Sequence, residues 1–213
     1  MNSVKFGDKD SYKDWGLLLK TRSRPFPVPK TNNISIEGRD GDLDLTASLT
    51  GDVKYKNVTD TLNFFLLDNR KDWEEKMYEI STYLHGKKMN VVFSEDPDWY
   101  CIGRMTVDKL TSSKNIGTIA IKCDFQPYRM KKEETVVTET VTANKTITLS
   151  NSRKWVMPTI KASSSVVFEF EDKQYSTSST LETPEFILKE GDNLVKIISG
   201  SGTISFTYRE GKL

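Results

Sequence analysis

Short runs with alternating apolar and polar residues, or with β-branched residues, recur along the C-terminal part of the chain. Turn signals separate them, including Glu171-Asp172-Lys173 and Ser199-Gly200-Ser201-Gly202. Strands of this length at this spacing predict an all-β sandwich. The predicted strands span residues 135–142, 146–150, 166–170, 186–188, 194–198 and 203–208.

The N-terminal part is also mostly predicted as strands, at residues 43–45, 61–66, 89–93, 99–102 and 116–125. One segment has a helical period instead, and it predicts a helix over about residues 70–85. Asp68 or Asn69 is expected to cap its start, and Gly86 to follow its end in the left-handed conformation. The apolar face of this helix is formed by Trp73, Met77, Ile80 and Leu84.

Residues 20–30 contain prolines at alternate positions, namely Pro25, Pro27 and Pro29. Proline removes a backbone donor and fixes φ in an extended range, so this segment is predicted to be an extended arm or edge. Two interpretations remain open: a stiff connector between elements, or a semi-rigid ligand that docks on another chain.

Composition changes near residues 127–132, where we place a domain boundary that gives domains 1–131 and 132–213.

The chain has 31 Lys and Arg against 30 Asp and Glu, a formal charge of +1, so no overall electrostatic field favours binding to nucleic acid or to an anionic membrane. No apolar run approaches the length of a membrane span, and the first residues lack a secretory leader, so neither insertion nor export is expected. Cys101 and Cys123 lie in apolar runs typical of buried thiols.

No catalytic constellation is recognisable, and we expect no enzyme, metal or cofactor site. His85 directly precedes Gly86 and is expected to cap the helix. Asp40, Asp42 and Asp44 alternate as at the start of a calcium loop, but Leu45 stands where the loop needs glycine and Gly51 where it needs glutamate. An alternating strand with its acids in water is the simpler interpretation.

A carbohydrate-binding module is the alternative function. A β-sandwich rich in Ser and Thr can present aromatic faces to sugar rings, and Trp155 and Tyr175 are the candidates in the second domain.

An ordered series of segments carries more information than these single motifs. Together it resembles the distal tail protein of long-tailed, non-contractile bacteriophages and related prophages. The similarity covers about residues 1–131 well. The segments are Asp14-Trp15-Gly16-Leu17, Pro27-Val28-Pro29-Lys30, Ile36-Glu37-Gly38-Arg39-Asp40-Gly41-Asp42-Leu43-Asp44-Leu45-Thr46, Leu84-His85-Gly86-Lys87-Lys88, Tyr100-Cys101-Ile102-Gly103-Arg104 and Gln126-Pro127-Tyr128.

This resemblance implies a mainly β protein with an N-terminal β-sandwich-like domain carrying one helix and an extended belt. A C-terminal sandwich of galectin-like or carbohydrate-module-like type would follow. It implies a homohexameric ring at the virion tail tip, assembled in the host cytoplasm. Its partners would be the major tail tube protein or tape-measure end, the tail-associated tip protein and a receptor-binding protein.

The subunit interface is expected along the belt, at Pro25, Pro27, Pro29, Ile36, Gly38, Arg39, Asp40 and Gly41, and at Arg104. The belt would reach a neighbouring subunit by edge pairing. Arg39 with Asp40 either fixes the register between subunits or forms an ordinary turn with solvated charges. Arg104 is expected to pair with an acid such as Asp40 or Asp124.

Overall fold

A computed structural model of the chain describes residues 2–66, 72–113 and 116–213. It divides into two compact units, Met1–Pro127 and Tyr128–Leu213. Strands dominate both units, and the described residues include one α-helix in the first. The predicted mainly β fold is therefore confirmed.

The first unit contains nine strands among the described residues, and neighbouring strands run antiparallel. Seven of them form one sheet in the order β2-β1-β7-β8-β9-β6-β3. The remaining two, β4 and β5, pair only with each other in that part of the chain. The strands are β1 (Val4–Phe6), β2 (Lys9–Asp10), β3 (Leu17–Arg22), β4 (Asn33–Ile34), β5 (Leu43–Asp44), β6 (Val58–Leu66), β7 (Lys88–Phe93), β8 (Trp99–Ser113) and β9 (Ile116–Phe125).

The helix α1 spans Trp73–Leu84, slightly shorter than predicted. Asp72 occupies its N-cap position, and the caps predicted at Asp68 or Asn69 lie outside the described residues. At the other end, the His85 backbone N–H donates to the Ser81 carbonyl, and Gly86 adopts a φ of +76°. This left-handed residue ends the helix as predicted, because glycine has no Cβ to oppose that conformation.

The core of the first unit forms between α1 and the sheet. The predicted helix face packs there, with Trp73, Ile80 and Leu84 buried and Met77 half-buried against them. Cys101 and Cys123 are buried thiols, as expected, and they are not joined in a disulfide. Burial raises the pKa of the Cys123 thiol well above its ordinary value, so this thiol stays protonated and unreactive.

The second unit is a sandwich of two four-stranded sheets, β11-β18-β13-β16 and β12-β17-β14-β15, around one apolar core. A further pair, β10 with β19, joins the start of the unit to the chain's last residues. The strands are β10 (Arg129–Lys131), β11 (Thr135–Thr140), β12 (Thr146–Asn151), β13 (Thr159–Ala162), β14 (Val166–Phe170), β15 (Lys173–Thr177), β16 (Thr180–Leu181), β17 (Gly191–Gly200), β18 (Thr203–Tyr208) and β19 (Gly211–Lys212).

One predicted strand of the sandwich is wrong. Residues 186–188 do not form a strand; Leu188 makes a single bridge with Val156. Phe186 and Leu188 are nevertheless fully buried, so the apolar pattern reports core packing at this point and not sheet pairing.

Within the described residues, no helix has the length and apolar character needed to cross a membrane.

Candidate subunit interface

A long arm, residues 23–57, leaves the sheet between β3 and β6. Neither hydrophobic core of the described chain includes a residue from it. Every residue from Val28 to Asp42 is exposed. The arm also holds large apolar side chains in water, with Phe26 83%, Val28 59% and Leu49 95% exposed, and Ile34 and Ile36 are exposed as well. A row of apolar side chains outside any core is typical of an interaction surface.

The arm has two limbs, an outgoing one that contains Val28 and Lys30 and a returning one that contains Lys54 and Lys56. A few backbone hydrogen bonds hold the limbs to each other. The Lys30 N–H donates to the Lys54 carbonyl (2.7 Å), and the Lys56 N–H donates to the Val28 carbonyl (2.9 Å). Further out, β4 pairs with β5. The arm is therefore an irregular two-stranded ribbon, an element that is only marginally stable without a further packing partner.

The pairing of the limbs shows which backbone groups remain available. Pro29 lies opposite Tyr55, and the hydrogen bonds on either side are made by Val28 and Lys30. Residues 27 and 29 therefore direct their backbone to the outer edge of the limb, where proline has no N–H to donate. Edge pairing, which we expected for the belt, lacks its donors along this stretch, so contact there falls to side chains.

The tip of the arm is a turn that runs from Gly38 to Gly41. Gly38 and Gly41 have φ of +76° and +73°, and the Arg39 N–H donates to the Ile36 carbonyl (3.2 Å). Within the described chain, the side chains of Arg39 and Asp40 have no hydrogen-bonding or ionic partner. Both charges are thus available to another molecule, and their role in register stays a prediction.

A buried ion pair fixes the root of the arm. Asp60 of β6 is 2% exposed, and its Oδ2 accepts a hydrogen bond from Nε of Arg22 (3.1 Å) and forms an ion pair with Nη2 of the same guanidinium (3.1 Å). Its Oδ1 accepts from the Ser23 backbone N–H (3.0 Å) and from the Ser23 hydroxyl (2.8 Å). One carboxylate therefore satisfies the last residue of β3 and the first residue of the arm.

The same guanidinium extends the network outward. Arg22 stacks on the Phe93 ring at 3.6 Å from its centroid and donates to Glu95 at 2.7 Å. Glu95 also accepts from Arg24 (2.5 Å), whose φ of +49° turns the chain into Pro25. Sequence reasoning missed this network. The sequence does hold one sign of it. Asp60 is two residues before the buried Leu62 and so lies on the buried face of the strand, where a charged group needs a partner.

Arg104 lies on the sheet and not on the arm. In the β8–β9 ladder it stands opposite Asp124, but its guanidinium donates to the Gly86 carbonyl. Asp124 accepts instead from the Asn57 amide (3.1 Å). The ion pair expected for Arg104 with Asp40 or Asp124 is therefore absent from the described chain, in which the Gly86 carbonyl accepts a hydrogen bond from the guanidinium.

The two aromatic residues considered for sugar binding both take part in packing. Tyr175 stacks on Phe168, with ring centroids 5.7 Å apart, and its hydroxyl donates to the Glu185 carbonyl (3.3 Å). Trp155 lies beneath the Lys189 ammonium, 5.7 Å from the ring centroid. Both side chains are half-buried, so part of each ring surface is already in contact with the protein.

Comparison with known proteins shows a full-length similarity of fold to a solved structure. No protein-family model and no curated relative matches the sequence. Among solved structures, the chain is similar to the Dit protein (gp 19.1) of SPP1, at a TM-score of 0.73 and 16% identity, with 100% of both chains covered. That protein is described as a paradigm of the hub adsorption apparatus in phages that infect Gram-positive bacteria. The two chains share a Dit-like fold across both units.

Proposed function

We propose that this chain is a structural hub protein of a phage tail tip, in which copies assemble through their arms into a homohexameric ring. The ring would connect the tail tube to the tail-associated tip protein and the host-recognition apparatus of the baseplate. The second unit would project from it as a mount for a receptor-binding protein. The full-length similarity to a phage hub protein supports this proposal, and the exposed arm carries it.

The arm favours assembly for a physical reason. Phe26, Val28 and Leu49 stand in water and are attached to a ribbon with little packing of its own. Burying such a side chain against a partner stabilises the complex by about 1.5–3 kcal/mol. The isolated chain does not gain this free energy, so it is available to drive association.

The geometry of the arm is compatible with a cyclic arrangement. A protrusion that docks on a different surface of the next copy, without reciprocal docking between the same two copies, makes a heterologous contact. Heterologous contacts close into rings when the rotation between copies divides the full turn. In a hexamer, each chain would give one arm and receive another.

Native mass spectrometry across a concentration range, followed by negative-stain imaging, tests this function. We expect a particle of about six chain masses with a central hole. Replacing residues 35–42 with Asn-Gly keeps the Ile34–Leu43 pair and shortens the tip, and this variant is expected to lose the particle. A monomeric wild-type chain that binds polysaccharide would contradict the proposal and favour the carbohydrate-binding alternative.

A further inference from the structure

The arm carries opposite charges at its two ends. Near the root, Lys30 lies directly opposite Lys54, and Lys56 lies opposite Val28. Directly opposed residues of antiparallel strands project from the same face, and so do residues two apart on one strand. One face of the root therefore combines three lysines with Val28. Asp52 lies beside this face, with its carboxylate 3.4 Å from the Lys54 ammonium.

In the isolated chain, the lysine face destabilises the pairing of the two limbs. Like charges directly opposite each other on paired strands are destabilising, and Lys30 and Lys54 are such a pair. The limbs meet there through few hydrogen bonds and no core. An acidic partner placed on the lysine face would remove the repulsion and gain attraction from it.

The tip of the arm has the complementary character. Glu37, Asp40 and Asp42 are exposed, and within the described chain none of them has an ionic partner. Asp44 adds a fourth carboxylate, and hydrogen bonds from the Thr46 hydroxyl and backbone lower its pKa, so its charge persists at neutral pH. Arg39 is the single cation among these residues. The tip is therefore acidic, with Ile34 and Ile36 exposed beside the charges.

We propose that the acidic tip of one copy's arm binds the lysine face at the root of the next copy's arm. The inference rests on the proposed ring and names the contact that closes it. The occupant is a second copy of this chain, because the arm holds both halves of a charge-complementary pair that it cannot bring together within itself. In the ring, each tip docks on a different neighbour from the one whose tip it receives, so the contact is head-to-tail, the heterologous mode that generates rings.

Side chains, not strand addition, form this contact. The prolines at 27 and 29 leave the outer edge of the limb without donors, whereas Phe26 and Val28 stand exposed beside the lysines. The apolar tip residues Ile34 and Ile36 would cover them, and the carboxylates would reach the ammonium groups around this patch. Apolar contact at the centre with charges at the rim is the usual anatomy of an interface.

Charge reversal in the full-length chain tests the proposal. One variant reverses the tip (Glu37→Lys, Asp40→Lys, Asp42→Lys), and the other reverses the root (Lys30→Glu, Lys54→Glu, Lys56→Glu). Each alone places like charges at every contact and is expected to weaken subunit association by about 100-fold. Mixed in equal amounts, they can alternate around an even-membered ring with opposite charges at every contact, so assembly is expected to return.

The controls separate this contact from other effects. Lys161→Glu with Lys196→Glu changes net charge on the second unit and is expected to leave assembly unchanged. Unaltered melting curves for both arm variants show that the fold is intact. If each charge-reversed variant still assembles as the wild type does, or if the two variants do not assemble when mixed, the tip-to-root contact is overturned. Neither result contradicts the proposed ring. A wild-type chain that stays monomeric contradicts the ring.

Discussion

At the scale of single residues, two carboxylates each connect segments that are distant in the sequence. Asp60 holds the root of the arm to the sheet, and Glu210 closes the second unit. Glu210 accepts hydrogen bonds from Lys131, Thr135 and Ser152, each at 2.6 Å. It thereby ties the chain's end to the beginning of the sandwich.

Replacing Asp60 tests the root network. Asp60→Asn leaves the Arg22 guanidinium, whose side chain is 4% exposed, without its buried counter-ion. Breaking a buried pair in this way is expected to lower the free energy of unfolding by about 3 kcal/mol. Urea denaturation measures the change. Asp108→Asn, which removes an exposed partner of Lys122, is the control and should cost less than about 1 kcal/mol; equal effects would contradict the role of Asp60.

The stability of the second unit should depend on pH through Glu210. Burial acts to raise the pKa of Glu210, but hydrogen bonds from Lys131, Ser152 and Thr135 outweigh it and lower the pKa below its ordinary 4.5. A lowered pKa contributes stability that is complete above the unfolded-state value and lost as pH falls through the folded-state value. Glu210→Gln is therefore expected to lower the melting temperature near neutral pH.

Calorimetry of the full chain at several pH values checks this. The difference between the wild type and Glu210→Gln should shrink as pH falls below about 4.5, because the wild-type carboxylate becomes protonated too. Glu171→Gln, at an exposed pair with Lys189, should show little effect at any pH. A Glu210→Gln difference that stays constant from neutral to acid pH would show that the charge is not involved.

At the scale of elements, alternation predicts strands well where one face is buried and the other is wet. β14 and β18 have the predicted bounds because their inward residues pack in the core. The same pattern cannot find β15, whose residues are all exposed or half-buried. The arm's extended limb follows from its prolines. Its lysine face does not, because that face depends on pairing residue 30 with residue 54, and local sequence does not encode this register.

The turn between β14 and β15 offers a direct test of an element. Glu171 and Asp172 have φ of +47° and +61°, a conformation that costs residues with a Cβ. Asp172→Gly removes this strain, which outweighs the added flexibility of the unfolded chain, and is expected to stabilise by about 0.5 kcal/mol. Lys173→Gly, one residue later and already in the strand, should destabilise. Thermal melts compare the two, and a loss of stability for Asp172→Gly would contradict the turn geometry.

At the scale of the whole molecule, the two units have different relations to their surroundings. The second unit closes on itself around one core, whereas the first extends a 35-residue arm, residues 23–57, that joins no core. The network at Arg22 and Asp60 gives this arm a defined direction before any partner binds. A pre-set arm loses less conformational freedom on association, which favours assembly.

The most direct test of the account is whether assembly covers the arm. The tip contains the sequence Ile36-Glu37-Gly38-Arg39, so an endoprotease specific for Ile-Glu-Gly-Arg should cut the chain into residues 1–39 and 40–213. Monomer and ring fractions of the wild-type chain are treated side by side, and the fragments are quantified by mass spectrometry. We expect rapid cleavage of the monomer and protection of the ring by about 100-fold or more. Equal cleavage in both fractions would contradict the arm as the subunit contact.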